Sequence, residues 1–396
     1  MPRSSPPAAL RARWTEAAIG VGRVVGSLSR LLRFGAGGVV GGRLILALAP
    51  GALARLVSGR RIVLVSGTNG KTTTAHMIAV ALRTAGPVAH NATGANMPDG
   101  VVAALVADRG ALVAVIEVDE LYLAVVAKAV RPDVLVLLNL TRDQLDRGFE
   151  VQAVADSLAA AVSDNPDACV IANADDPVVV AAVGDAPHVV WVGAGAEWQA
   201  DVLTQQARPK MAWTVHDGKV RGPSGETPVP LALPGRFNLG NAAMAMAAAG
   251  ALGVPAEAAA AAIADVRSIA GRYSVVRRGR QELRLLLAKN PAGWIELLPL
   301  LADARCLLLV INARDADGRD TSWLWDVPFE HLGAPAVVAS GERAADLGLR
   351  LSYAGIDHRT VADPVAALEL LPPGEVIVVA NYTAFSALGS RLGATS

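Results

Sequence analysis

The chain has 396 residues, 53% of them hydrophobic, enough for about two or three domains and a substantial core. Its 36 basic and 36 acidic residues cancel, which leaves no global charge to attract nucleic acid or an anionic membrane. The two cysteines, Cys169 and Cys306, stand far apart in the apolar runs DACVIA and ARCLLLV without metal-ligand spacing, so they read as buried strand cysteines of a reducing compartment.

The N-terminus lacks a basic stretch followed by a clean apolar run and cleavage site, so no secretory signal is expected. Residues 34–54, FGAGGVVGGRLILALAPGALA, are apolar, but Arg43, Pro50 and the glycines argue against a membrane span. A helix packed on the protein and able to touch lipid is the expectation, in a cytoplasmic chain that is peripheral at the inner face of the membrane.

Next comes an apolar strand running into VLVSGTNGKTTT (63–74) and a helix-like segment. Glycines let backbone N–H groups close on phosphate oxygens, lysine supplies a charge, and a helix start adds its dipole. Gly67 and Gly70 are only three apart, and Val65 stands where the usual phosphate loop has its first glycine. A plain strand-to-helix turn explains the glycines but not Lys71 and Thr72 at the helix start.

Apolar runs at 62–66, 111–118, 133–140 and 168–173 alternate with helix-like stretches, which predicts a mostly parallel α/β sheet. AVIEVDEL puts Glu117, Asp119 and Glu120 at a strand end, where a carboxylate can reach a magnesium ion; a solvated strand end is the alternative. Asn139, Asp143 and Asp146 of NLTRDQLDR can orient a nucleotide or substrate, or each can cap a helix, and the same holds for NADDP at 173–177. Residues 210–222 alternate around Asp217-Gly218, a hairpin signal, and an alanine-rich helix follows. A second α/β series begins after about Gly271.

GTNGKTTT, GAN, EVDEL, NLTRDQLD, NADDP, GRFNLGN and GRY (271–273) occur in this order in Mur ligases, which the chain resembles over nearly its whole length. Those enzymes use ATP to make amide bonds to carboxylates. SRLLRFGAGGVVGGRL, AKNPAGW, DADGRDTSWLWDVPFE and ANYTA narrow the resemblance to the MurT family, synthetase subunits of lipid II isoglutaminyl synthase. The resemblance implies an α/β fold with three parts. A helical segment spans 1–58 and a Mur ligase central ATP-binding domain spans 59–270. A smaller Rossmann-like C-terminal domain spans 271–396. It implies no N-terminal UDP-binding domain. Many MurT chains carry a four-cysteine zinc ribbon; residues 194–230 contain no cysteine, so a hairpin and no zinc are expected there. Gln144 stands where other Mur ligases have histidine, which puts a second magnesium site in doubt.

The resemblance further implies ATP and Mg²⁺ as cofactors, with Gly67, Thr68, Asn69, Gly70, Lys71, Thr72 and Thr73 on the phosphates. Thr72 and Glu117 would hold the metal. Asn241 would contact adenine and Arg272 the ribose or phosphates, although a helix cap and a surface linker residue are the plainer readings. Lys289 and Asn290 would reach the site from the C-terminal domain. The implied reaction amidates the D-glutamate α-carboxylate of the lipid II stem peptide. Ammonia comes from a GatD-type glutamine amidotransferase partner, because the chain has no GxCxG-like nucleophile elbow. An aspartate of DGRDTSWLWD would complete that partner's Cys–His pair, in the order Asp320, Asp317, Asp326. Trp323 and Trp325 are either interface anchors or a pair packed under their own domain. Two other readings are an amino-acid-adding ligase of the Mur or folylpolyglutamate type and a non-catalytic ATP-binding scaffold for a glutaminase.

Overall fold

The computed structural model describes residues 8–31, 39–92, 94–140, 151–195, 207–333 and 336–393. The chain forms two compact units, one from Met1–Leu140, Gln152–Val229 and Gly240–Ile263, the other from Thr141–Val151, Pro230–Leu239 and Ala264–Ser396.

In the first unit the short apolar runs form strands because they are β-branched, uninterrupted by proline, and buried on both faces. β1 (Arg61–Ser66) lies between β3 (Val113–Glu117) and β4 (Val134–Leu137), parallel to both. β2 (Val88–His90) flanks β3, while β5 (Cys169–Asn173) and β6 (Val189–Gly193) extend the sheet beyond β4. β7 (Trp213–His216) continues it in parallel, then β8 (Lys219–Gly222) and β9 (Gly225–Pro228) turn antiparallel. Asp217 and Gly218 close the β7–β8 turn, both with positive φ, as a two-residue hairpin loop requires. The core includes Ile62, Leu64, Ile116, Leu123 and Leu135, each essentially inaccessible. Each such side chain contributes about 1.5–3 kcal/mol over its exposed state.

Register decides the function of this sheet. Val65 pairs with Glu117 and Ser66 with Leu137, so the phosphate-loop sequence, EVDEL and Asn139-Leu140 all leave the sheet at one carboxyl edge. α4 (Lys71–Arg83) follows the loop, α5 (Pro98–Ala107) and α6 (Leu123–Val130) precede β3 and β4, and α7 (Val151–Ser163) and α8 (Pro177–Val183) flank β5. Asp176 caps α8, accepting from the amides of Val178 and Val179, and also accepts from Leu140 N at 2.7 Å. Two helices, α9 (Arg236–Ala251) and α10 (Ala256–Ala264), follow β9. Cys169 and Cys306 lie on strands, and burial pushes both thiols up.

Residues 34–54 are not one helix where they are described. α1 (Ala8–Leu31), α2 (Val39–Leu48) and α3 (Ala52–Leu56) form the N-terminal segment. Among the described residues no helix is long and apolar enough to cross a membrane.

His90 on β2 lies 6.0 Å, ring to ring, from His76 on α4. Burial lowers its pKa from 6.5 to about 4, although its Nδ1 meets Val115 O at 3.1 Å. The folded chain therefore refuses a proton that the unfolded chain accepts below pH 6.5. Stability contributed by neutral His90 is complete above 6.5 and falls as pH drops toward 4, by about 3 kcal/mol. Urea unfolding across that window checks this; His90→Gln removes that share of the pH dependence.

In the second unit six strands take the order β10 (Tyr273–Arg278), β11 (Gln281–Leu287), β15 (Gly374–Ala380), β12 (Cys306–Val310), β13 (Ala336–Ser340) and β14 (His358–Thr360). β10 and β11 are an antiparallel pair, and the rest run parallel. α11 (Pro291–Leu301), α12 (Ala344–Tyr353), α13 (Pro364–Leu368) and α14 (Tyr382–Leu392) connect them, with a 3₁₀ turn at Ser322–Asp326.

Candidate active site

The loop between β1 and α4 ends at a helix start, whose free amides can receive an anion. Gly70, at φ 83°, takes the left-handed conformation immediately before the helix. A Cβ there would come within 2.8 Å of Asn241 Oδ1, so the Asn241 side chain lies against the loop. Asn139 fixes the loop from the next strand: its Oδ1 accepts from Asn69 N at 2.9 Å, its Nδ2 donates to Asn69 O at 3.1 Å, and its carbonyl accepts from Thr68 N. The sequence left Asn139 open between substrate orientation and helix capping; here it braces the loop. Asp143, Gln144 and Asp146 lie outside the described residues.

Lys71 is buried at the helix start. Its Nζ donates to Thr68 O at 3.2 Å, to Gly67 O, and to Glu120 Oε2 at 3.0 Å. Both members of that ion pair are buried, so removing one strands the other at about 3–5 kcal/mol. Thr72, one residue on, donates from Oγ1 to Glu117 Oε2 at 2.8 Å, and Thr73 sits half-buried in the same turn.

Glu117 is fully buried and held from several directions. Asn96 Nδ2 donates to its Oε1 at 3.3 Å, while Asn91 takes both its backbone groups, accepting from Glu117 N at 2.9 Å and donating to Glu117 O at 2.8 Å. Asn91 and Asn96 were not singled out from sequence; the signal was the GAN stretch, whose polar residues interrupt an apolar strand-loop-helix run. A Cβ on Gly94 would stand 3.5 Å from Thr72 Oγ1 and 3.8 Å from Glu117 Oε2. Glycine thus keeps open the space beside a hydroxyl and a carboxylate, the hard oxygen donors that magnesium takes alongside phosphate and water. Among the described residues no three His, Cys, Asp or Glu side chains gather as a metal cage.

The second unit gathers its own polar cluster at the carboxyl ends of β11, β15 and β12. Asn381 and Asn312, both buried, exchange hydrogen bonds: Asn312 N donates to Asn381 Oδ1 at 3.1 Å and Asn381 Nδ2 to Asn312 O at 2.7 Å. Neither was picked out from sequence, although each ends an apolar strand run. Arg272 O accepts from Leu287 N, which puts Arg272 beside the β11 end that continues into Lys289 and Asn290. Asn290 caps α11, accepting from Gly293 N at 2.9 Å.

The aspartates of DGRDTSWLWD separate cleanly. Asp317 is buried and accepts from Thr383 N at 2.8 Å and from Thr383 Oγ1, clamping its loop to α14. Asp320 is exposed, and hydrogen bonds from the Ser322 amide (2.8 Å) and hydroxyl lower its pKa, so it stands as an oriented carboxylate. Asp326 is exposed as well. Trp323 is buried under its own unit, whereas Trp325 is 51% exposed and packs edge-on against exposed Tyr353 at 5.2 Å.

Residues 65–249 match the family model for the Mur ligase middle domain, and residues 287–385 match that for the MurT ligase C-terminal domain. A Staphylococcus aureus protein named lipid II isoglutaminyl synthase (glutamine-hydrolyzing) subunit MurT is 28% identical, over 84% of this chain and 87% of its own. Its Streptococcus pneumoniae namesake is 26% identical over 89% and 92%. The chain carries a Mur ligase middle domain followed by a MurT ligase C-terminal domain. With those relatives, the middle domain makes it an ATP-dependent ligase. Among solved structures, Acinetobacter baumannii MurF superposes with a TM-score of 0.71 at 18% identity, covering 88% of this chain and 80% of that one. Mycobacterium tuberculosis folylpolyglutamate synthase complexed with ADP gives 0.64 at 19%, covering 86% and 92%. At those identities the likeness establishes the Mur ligase fold.

Proposed function

We propose that the chain amidates the D-glutamate α-carboxylate of the lipid II stem peptide to D-isoglutamine, using ammonia delivered by a GatD-type glutaminase partner. The relatives named for this synthase support the substrate, and the observation that carries the chemistry is the buried Lys71–Thr72–Glu117 array on a loop that ends in a helix start. A carboxylate resists ammonia because its oxygen is a poor leaving group. ATP with Mg²⁺ supplies the phosphoryl group that turns it into an acyl phosphate. Lys71 and the loop amides at Gly67–Thr73 would position the β- and γ-phosphates, Thr72 and Glu117 would hold the metal, and Asn241 would contact adenine. Arg272 is assigned to ribose or phosphate, and Lys289 and Asn290 to the reacting groups. The proposed domains are a helical segment to residue 58, an ATP-binding domain to 270 and a C-terminal domain beyond it.

Asp320 is the residue assigned to the partner's Cys–His pair. It is exposed, hydrogen-bonded into one orientation, and three residues before the buried Trp323 that anchors its loop, whereas Asp317 is spent on Thr383. A third member of such a triad fixes the imidazole tautomer. Exposed Trp325 and Tyr353 supply the aromatic anchor a partner surface needs.

The test is phosphate release and product mass with ATP, magnesium and lipid II. Amide product with ammonium ions, or with glutamine plus the partner, and none with glutamine alone is the expected result. Turnover driven by an amino acid would replace this reading with an adding ligase; no turnover in any mixture would leave a scaffold.

A further inference from the structure

The outward face of α1 is the reverse of an ordinary solvent face. Trp14, Val21, Val24 and Leu28 are 50–60% exposed and recur at spacings of seven, three and four, which puts them on one helical stripe. The opposite stripe is seated on the protein: Ala18 and Ile19 are buried, and Gly22 and Gly26 lie against Gly41 of α2. Trp14 Nε1 donates to Leu48 O at 2.8 Å, tying the start of α1 to the end of α2 and adding exposed Leu48 to the apolar surface.

Charge singles out what this surface meets. Residues 1–61 hold ten arginines, no lysine and one acid, Glu16, although the whole chain is neutral. Glu16 pairs with Arg55 at 3.3 Å and Arg109 at 3.0 Å, so even that acid is neutralised. Arg13 and Arg23 are exposed on α1, Arg13 next to the apolar stripe and Arg23 further round the helix. A second copy of this chain would bring the arginines against their own kind. An anionic bilayer offers apolar depth for the stripe and negative headgroups for the arginines, and tryptophan favours that boundary.

We infer that α1 is a membrane-surface docking helix, lying in the plane of an anionic phospholipid interface with Trp14, Val21, Val24 and Leu28 inserted and Arg13 and Arg23 on the headgroups. The inference rests on the reading of a lipid-linked substrate, but vesicle binding is measured apart from turnover, so either can fail without the other.

Flotation of the full chain is compared on vesicles of phosphatidylcholine alone and of phosphatidylcholine with phosphatidylglycerol. Binding to the anionic vesicles that weakens with salt is expected. Val24→Asp with Leu28→Asp lowers partitioning by at least about tenfold. Arg13→Ala with Arg23→Ala lowers it by about tenfold and flattens the salt dependence. Trp325→Ser, on the other exposed aromatic patch, leaves vesicle binding unchanged. The proposal is overturned if the wild-type chain stays with the unbound fraction, or if Val24→Asp with Leu28→Asp floats like wild type. It is equally overturned if that variant instead splits a dimer in light scattering or releases a glutaminase subunit, since the stripe would then be a protein interface.

Discussion

Lys71→Ala lowers ATP turnover by about 10³-fold, the scale of losing one preorganised charge from a transition state. The same change also strands Glu120, whose carboxylate is buried against Lys71 at 3.0 Å, so the variant loses about 3–5 kcal/mol of stability. These two effects must be separated, or a misfolded protein will pass for an inactive one. Lys71→Ala combined with Glu120→Gln supplies the separation. Without a buried uncompensated charge the double variant recovers most of its unfolding midpoint, while turnover stays as low as in the single variant. Phosphate release beside thermal unfolding reads both. Recovery of turnover in the double variant would mean that Lys71 only neutralises Glu120 and does not handle phosphate.

Asp320→Asn produces a different signature. Glutamine-driven amidation with the partner falls by about 10⁴-fold, as when the acid that orients a catalytic imidazole is made neutral. Ammonium-driven amidation is unchanged, because the ATP site is untouched. The asparagine oxygen still accepts from the Ser322 amide, so the loop keeps its shape and the unfolding midpoint holds. Asp317→Asn, by contrast, weakens the clamp to Thr383 and lowers stability along with both activities. Equal losses with ammonium and glutamine in Asp320→Asn would remove it from the partner's triad.

The strand-loop-helix of β1 and α4 was legible in the sequence because three signals coincide there: an apolar strand, two glycines close together, and Lys71-Thr72 at the helix start. Glu117 was legible for a similar reason, an acid directly after AVI where a buried strand should continue. Asn91, Asn96, Asn312 and Asn381 were not. Asn91, Asn312 and Asn381 satisfy backbone groups across strands far apart in sequence and Asn96 reaches the Glu117 carboxylate, and a lone asparagine reads equally well as a turn. Asn91 reaches Glu117 over twenty-six positions and Asn381 reaches Asn312 over sixty-nine, so only the assembled sheet joins them.

Net charge averages over a local bias. The whole chain balances 36 against 36, whereas the first 61 residues carry a single acid among ten arginines. The apolar run at 34–54 drew attention to lipid, but the exposed apolar stripe belongs to α1, which burial and not hydropathy picks out. Asp320 ranked ahead of Asp317 in the sequence, but residue type does not show how differently the two are placed. Burial of one and exposure of the other divides them.

The central claim is that the Lys71–Thr72–Glu117 loop serves to place a phosphoryl group on a substrate carboxylate. Heavy oxygen in the lipid II D-glutamate α-carboxylate tests it most directly. With ATP, magnesium and ammonium, one labelled oxygen is expected to leave with the released phosphate for each amide formed, as cleavage of an acyl phosphate requires. Amide formed with unlabelled phosphate would contradict it.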